Sequence, residues 1–374
     1  MTQDTPGGHG RSEIVSDSFV DVAQLAFGGP ASIDLVPQFL QRMTGREPAA
    51  DVVAKVKQRY MAIGGGSPLP ETTRRQAAAL ESLLLAKLGF SLRVRAGVLY
   101  ADPSVADCLH ELNGHRVLAL PLSPFSSRLT TRAYREALDA AGAAEVPLLD
   151  EWYADSLFVA AIAERINEAL DGDAADDYAV LFTAHSVPLD GILAGDPYAE
   201  QIQQTIDLLV PLLQPGDWRL GWQSKGLRGG DWLEPSAEEM VREFAAAGWR
   251  KLLVVPIGFV SDHVETLFDL DIELRRTVEA AGMQFVRSQA PNDSPAFINA
   301  LASFVINYLA QRQLTTFLDK PHGPAATFLD AAGGPFEAAD GPPDELGEPL
   351  SASGDPLDAP GGPLDALDAD FETW

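Results

Sequence analysis

Tyr178-Ala-Val-Leu-Phe-Thr-Ala-His-Ser-Val-Pro188 is an apolar run that closes on a histidine and is stopped by a proline. Val255-Pro-Ile-Gly-Phe-Val-Ser-Asp-His-Val-Glu-Thr-Leu-Phe-Asp-Leu-Asp-Ile-Glu273 follows another apolar run and carries a row of carboxylates, Glu265, Asp269 and Glu273. Short unbroken apolar runs of this kind read as strands buried on both faces. Reactive residues just past such strands mark the place where an open α/β sheet builds its ligand site.

The rest of residues 19–318 keeps the same rhythm. Strands are expected at 19–27, 92–100, 116–122, 178–183, 218–223, 251–256 and 284–287. Apolar residues at helical spacing predict helices at 50–60, 71–88, 128–140, 197–213, 237–247, 261–281 and 295–312. Strands alternating with helices, without hairpin signals, predict an α/β fold of parallel sheets flanked by helices. The two halves are alike in rhythm. A division near 151–156 assigns 18–153 plus 295–318 to one domain and 154–294 to the other, with a cleft between them.

Composition narrows the function. A formal charge of −27 on 374 residues argues against nucleic-acid binding, which cationic patches drive. From Asp319 onward there are thirteen acidic residues and one basic residue, Lys320, in a stretch rich in Gly, Pro and Ala. Such a segment buries too little apolar surface to offset its ordering entropy. Residues 319–374 therefore read as a disordered acidic tail, either solubilising or a docking or metal-buffering arm, and 1–17 read as a disordered N-terminus. That N-terminus lacks the layout of a signal peptide. No apolar run reaches the roughly 20 residues that a membrane span needs. The single cysteine, Cys108, leaves no means of building a disulfide framework or a Cys-ligated iron–sulfur cluster, and a reducing cytoplasm is the simplest compartment.

Five loops follow strands and would share one rim: Phe27–Pro30, Leu120–Arg128, Ala184–Pro188, Gly221–Gly226 and Pro256–Glu265. A sixth, Ile63-Gly-Gly-Gly-Ser-Pro-Leu69, is a Gly-rich turn between helices. It lacks the Lys-Ser/Thr ending of a nucleotide loop and follows no strand, so it reads as a backbone turn close to a flat ligand. Glu265, Asp269 and Glu273 are spaced i, i+4, i+8. On an α-helix that stacks three carboxylates on one face, about 6 Å apart, and no Lys or Arg within 261–274 relieves their repulsion. Carboxylates beside an imidazole can hold a divalent metal and pass it on; the bland reading is a solvated acidic face. Of the six histidines, only His185 and His263 fall in strand-end loops. A neutral imidazole there can take a proton or touch a metal, although a lone histidine at a strand end is commonly hydrogen-bonded structure.

These segments together resemble the ferrochelatase family over about residues 19–312. The most specific are Ala184-His-Ser-Val-Pro188, Gly221-Trp-Gln-Ser-Lys-Gly226 with Asp231-Trp-Leu-Glu-Pro235, the long stretch 255–273, and Arg59-Tyr-Met-Ala-Ile-Gly-Gly-Gly-Ser-Pro-Leu69. The resemblance implies the chelatase fold: two Rossmann-like domains with a porphyrin cleft between them. It implies insertion of Fe²⁺ into a porphyrin for heme biosynthesis, with no organic cofactor and iron as substrate. It places His185 and Glu265 at the macrocycle's metal position, with Asp269 and Glu273 as an acidic path that feeds or parks metal. It further implies a monomer, with heme-pathway enzymes as candidate partners. One branch of the family uses protoporphyrin IX and is often membrane-associated; the other is soluble and uses coproporphyrin III. Arg59, Tyr60, Ser67 and Tyr134 match positions that hold propionates and the porphyrin edge in the soluble branch. That branch usually has a tyrosine in the first loop as an iron ligand. Here the position is Phe27, which has no donor atom.

A planar porphyrin hides its nitrogen lone pairs in the ring plane. Distorting the ring costs roughly 1–5 kcal/mol, which binding elsewhere on the ligand can supply. Walls such as Trp222 and Phe259 suit that grip, while Trp232 reads equally as core. Two other functions share the features: a sirohydrochlorin-type metal chelatase, and a non-catalytic carrier of metal or tetrapyrrole. The Ser186-Val-Pro188 sequence after His185 and the Glu265 pattern favour the porphyrin enzyme.

Overall fold

The computed structural model of the protein describes residues 20–318, apart from 90, 114–115 and 227–229. The expected disordered segments at the two ends lie outside the described residues.

Two parallel sheets flanked by helices make up the fold. In the first, β1 (Val20–Ala26) lies between β2 (Val94–Val98) and β3 (Arg116–Pro121). In the second, the order is β5 (Asp217–Gln223), β4 (Ala179–His185), β6 (Lys251–Val255), β7 (Gln284–Arg287). The apolar runs explain the arrangement: β4 is buried from Ala179 to Ala184, as a strand covered on both faces must be. All seven strands lie where the sequence expects them, to within two residues at either end.

The first half carries α1 (Val36–Thr44), α2 (Ala50–Ala62) and α3 (Leu69–Leu88) between β1 and β2, α4 (Val105–Leu112) before β3, then α5 (Thr131–Ala140). The crossing helix α6 (Ser156–Leu170) leads to the second half, with α7 (Leu189–Leu193), α8 (Tyr198–Leu213), α9 (Ala237–Ala246) and α10 (Arg275–Ala280). The closing helix α11 (Pro295–Leu318) packs on both α3 and α6.

Strand order fixes where ligands bind. β1 and β4 each have a neighbour on either side, reached by connections that leave in opposite directions. Their carboxyl ends are therefore topological switch points, where a crevice opens beyond the sheet. Phe27-Gly-Gly-Pro30 follows β1, and His185 ends β4.

Four helices fall outside the spans expected from the sequence: α1, α4, α6 and the five-residue α7. In α6, the run Leu157-Phe-Val-Ala-Ala-Ile162 is apolar almost without interruption, which blurs the helical period. Asp155 starts the helix, its carboxylate accepting from the amides of Leu157 and Phe158. In α4, Ser104 and Asp107 form a reciprocal cap around a helix of only eight residues. α1 ends in a left-handed Gly45, and its nine residues are too few to give a clear helical period. The region 151–156, read as a division, is not an exposed linker. Trp152 is buried there against Phe158 and Phe297, with ring centroids 4.9 and 5.9 Å away, and its Nε1 donates to the Pro121 carbonyl.

A second difference bears on the site. Residues 261–281 are not one α-helix: the chain turns through Ser261–Val264, and Glu265–Leu274 then forms a π-helix that runs into α10. Long π-helices are rare and concentrate at functional sites, because their wider turn re-aims side chains.

Candidate active site

His185 lies at the last position of β4, paired in register with Gln223 of β5. The neighbouring strand anchors it: Ser186 N–H donates to the Gln223 carbonyl at 2.8 Å, and the Tyr198 hydroxyl donates to the His185 carbonyl at 3.2 Å. From across the crevice the first residue of the π-helix, Glu265, reaches it. His185 Nδ1 and Glu265 Oε2 are 2.9 Å apart. The backbone carbonyl of Glu265 accepts from Gln223 Nε2 at 3.1 Å, which pins the helix start to β5.

Glu265 is only 6% exposed. Burial alone would push its carboxyl up. The charge and hydrogen bond of His185, with the fields of His263 and Arg59, outweigh burial and hold its pKa down to about 2. An ionised Glu265 can only accept a hydrogen bond, so His185 Nδ1 must be the donor. Whenever that ring is neutral, its lone pair therefore lies on Nε2.

The carboxylate row is not the unpaired set expected from the sequence. Asp269 forms an ion pair with Arg59 of α2 and accepts from the Ser224 hydroxyl at 2.5 Å. Burial pushes the Asp269 carboxyl up, and Arg59 and Ser224 offset only part of that. Arg59 also lies over the Phe268 ring, 5.0 Å from its centroid. Repulsion along the row is thus relieved from another element, which spacing within 261–274 cannot reveal. Glu273, two turns further on, is exposed. Arg59, Trp222, Ser224, Glu265, Asp269 and Glu273 line one cavity of about 280 Å³. Among the described residues, no three His, Cys, Asp or Glu side chains converge as a closed metal cage.

The other expected contacts are spread out. Trp222 is 6% exposed, tilted against Tyr198 at 5.9 Å, and forms one wall of that cavity. Phe27 packs edge-on to Tyr100 at 4.8 Å and joins the apolar cluster that includes Val264 and Phe268. Tyr60 is buried in that same cluster, and Tyr134 is buried in another with Leu25 and Leu138. Burial pushes both phenols up. Neither phenol lines the cavity with Glu265. Ser67 is also buried, its amide donating to the Pro30 carbonyl at 2.8 Å and its hydroxyl accepting from Leu69 N–H. The Gly-rich turn thereby packs on the loop after β1. A side-chain carbon on Gly66 would run into the Ala31 carbonyl, so that backbone contact requires the glycine.

Two site residues, Ser224 and Gln223, fall outside the expected set, and His263, expected only as a strand-end histidine, joins them. Ser224 sits in a left-handed conformation (φ +56) that turns its hydroxyl to Asp269. Gln223 ties both Ser186 and Glu265. His263 donates from Nδ1 to the Ser261 carbonyl at 3.2 Å and brings Nε2 to 3.9 Å from Glu265 Oε1. The Gly221–Gly226 loop and the Asp262-His263 pair were the sequence signals for all three. Burial has pushed the thiol of Cys108 up to about 12, which removes it as a ligand in the thiolate form.

The ferrochelatase family model matches residues 21–309. Ferrochelatase of Geotalea uraniireducens is 37% identical over 76% of this chain and 96% of its own length. Ferrochelatase of Geobacter sp. strain M21 is 35% identical over 75% and 96%. Coproporphyrin III ferrochelatase of Anoxybacillus flavithermus is 32% identical over 79% and 98%. The matched span runs from β1 into α11 and takes in both switch points and every residue around His185. The chain belongs to the ferrochelatase family, and it is an enzyme that inserts iron into a porphyrin.

Proposed function

We propose that the protein inserts Fe²⁺ into coproporphyrin III, with His185 as the proton acceptor and first metal contact and Glu265 as its partner. The observation that carries this is the 2.9 Å His185–Glu265 pair at the carboxyl end of β4. An ionised Glu265 fixes the tautomer of the ring, so that Nε2 has the lone pair. That nitrogen can take a pyrrole proton or hold the incoming ion. Insertion releases two protons for each iron bound, and a carboxylate beside the imidazole stabilises its protonated form until the proton passes to solvent. The reading needs no organic cofactor, because the porphyrin brings its own donor nitrogens and Fe²⁺ is the other substrate.

Asp269 and Glu273 are the route by which iron approaches. They continue from Glu265 along the π-helix, and the row ends at an exposed residue. Phe27 and Trp222 are the ring walls in this reading. Arg59 acts through Asp269, and a direct hold on a propionate would require it to leave that pair. The choice of coproporphyrin III rests on relatives such as the Anoxybacillus enzyme that carry that name over nearly their whole length. Among the described residues, no helix is long and apolar enough to cross a membrane.

The test is anaerobic insertion followed by absorbance, with coproporphyrin III and protoporphyrin IX run side by side. We expect kcat/KM to favour coproporphyrin III by about tenfold or more, a difference of roughly 1.4 kcal/mol at the transition state. A preference for protoporphyrin IX would overturn the substrate assignment and leave the family standing.

A further inference from the structure

Behind the site lies a buried charged cluster that the reaction as described does not use. Arg287, the last residue of β7, has only 7% of its side chain exposed. Its guanidinium forks onto Asp271, with Nε to Oδ1 at 2.8 Å and Nη2 to Oδ2 at 2.7 Å. Nη1 reaches Asp262 Oδ1 at 2.9 Å and the Ser288 carbonyl at 2.9 Å. Asp262 precedes the π-helix and Asp271 lies inside it, so one side chain holds the chain on both sides of His263 and Glu265.

A second layer fixes the first. Asn292, in a left-handed conformation (φ +50), donates from Nδ2 to Asp262 Oδ2 and accepts from the Asp262 amide, both at 2.8 Å. Gln76 of α3 donates to the Asn292 carbonyl at 2.7 Å and to Ser261 Oγ at 3.1 Å. The turn leading into the π-helix is therefore held from β7, from the loop after it, and from the first half of the molecule.

We infer that Arg287 is a positioning residue for iron insertion: it sets the Glu265 carboxylate against His185 by fixing Asp262 and Asp271 on either side of it. This rests on the role proposed above for Glu265. Stability alone is a poor reason for such a cluster, since apolar side chains of similar volume commonly serve as well in a buried position. What an Arg–carboxylate fork adds is direction, because two parallel bonds define a plane and a distance that a lysine cannot reproduce. Direction matters here because Glu265 opens a π-helix. The wide turn sets its aim, and a local return to α-helical winding between Asp262 and Asp271 would rotate Glu265 away from His185.

The experiment is steady-state iron insertion by Arg287→Lys at saturating porphyrin, with porphyrin affinity from fluorescence quenching and melting temperature measured alongside. We expect kcat to fall about tenfold or more, with porphyrin affinity and the KM for Fe²⁺ held within about threefold, as a misplacement near 1 Å would produce. In a Glu265→Gln background the same change should cost less than about twofold, since the group it aims is gone. Wild-type kcat in Arg287→Lys would overturn the inference, and so would an undiminished loss in the Glu265→Gln background. Normal turnover by Glu265→Gln alone would instead remove the role given to Glu265, and this inference with it. Should Arg287→Lys not fold, Asn292→Gly keeps the left-handed backbone and deletes only the side-chain bonds Asn292 makes. A severalfold fall in its kcat at unchanged porphyrin affinity supports the inference, and wild-type kcat in a folded Asn292→Gly overturns it.

Discussion

At Glu265 the neighbouring charges outweigh burial, and at Asp269 they do not. Two imidazoles and Arg59 hold the Glu265 pKa down to about 2, whereas the net effect at Asp269 is upward. The row should therefore divide by role. Glu265→Gln removes the charge nearest the reacting centre and the acceptor that orients His185, so kcat should collapse by about 100-fold or more. Asp269→Asn leaves the reacting pair intact but uncovers the Arg59 cation in the iron route, so the KM for Fe²⁺ should rise severalfold, with Glu273→Gln doing less because its carboxylate is already in solvent. Initial rates against Fe²⁺ at saturating porphyrin check this, and equal losses of kcat in all three would show that the row acts as one catalytic unit. At this scale the sequence brings out His185 and Glu265 by position, the first ending one apolar run and the second lying in the loop after another. It could not show the partners. Arg59 lies 210 positions from Asp269, and no local pattern links them. Tyr60 and Tyr134 match a binding pattern in the sequence, yet their phenols are packed in cores.

The pairing of β4 with the loop after β6 does at the level of elements what the Arg287 cluster does for one helix. Gly258 makes it possible. A Cβ at this position would lie 2.8 Å from the Ala184 Cβ and 3.0 Å from its Cα, while the Gly258 amide donates to the Thr183 carbonyl at 3.2 Å. The glycine is required by close approach, since its backbone is not left-handed. Gly258→Ala must push the loop off the strand end that carries His185, and the loop carries His263 and Glu265 with it. We expect overpacking to cost about 1–3 kcal/mol of stability and insertion to fall about tenfold or more, in line with a displacement of the reacting pair. Thermal melting and turnover on the same preparation decide the matter: a destabilised variant with full turnover would show that the loop relaxes without moving Glu265. The strands themselves were legible, because seven apolar runs between turn residues leave little choice of register. The π-helix was not, since Glu265, Asp269 and Glu273 fit an α-helical face almost as well, and the contacts that hold Glu265, Asp269 and Asp271 come from distant parts of the chain.

Across the whole molecule, the parallel sheets followed from the alternation of strands and helices, but the relation between the halves did not. A division at 151–156 was natural where the sequence turns polar, yet Trp152 in that segment is 2% exposed. One continuous apolar core runs from Val22 and Leu118 in the first sheet through Trp152, Phe158 and Phe297 to Val180 and Phe182 in the second. Helix α11 closes it by packing on both α3 and α6, and Arg75 adds a fork from α3 onto Asp293, with bonds of 2.7 and 3.1 Å. Halves that share a core cannot melt separately, because unfolding either one exposes apolar surface on the other. Calorimetry and tryptophan fluorescence should therefore report a single coincident transition. Phe297→Ala tests this at the junction. Phe297 is fully buried, and its truncation should cost about 3–5 kcal/mol, lowering the melting temperature by roughly 5–15 °C for a fold of this size. The transition should stay single as it moves. If it splits in two, with only one component shifted, the two sheets are independent domains and the shared core does not couple them.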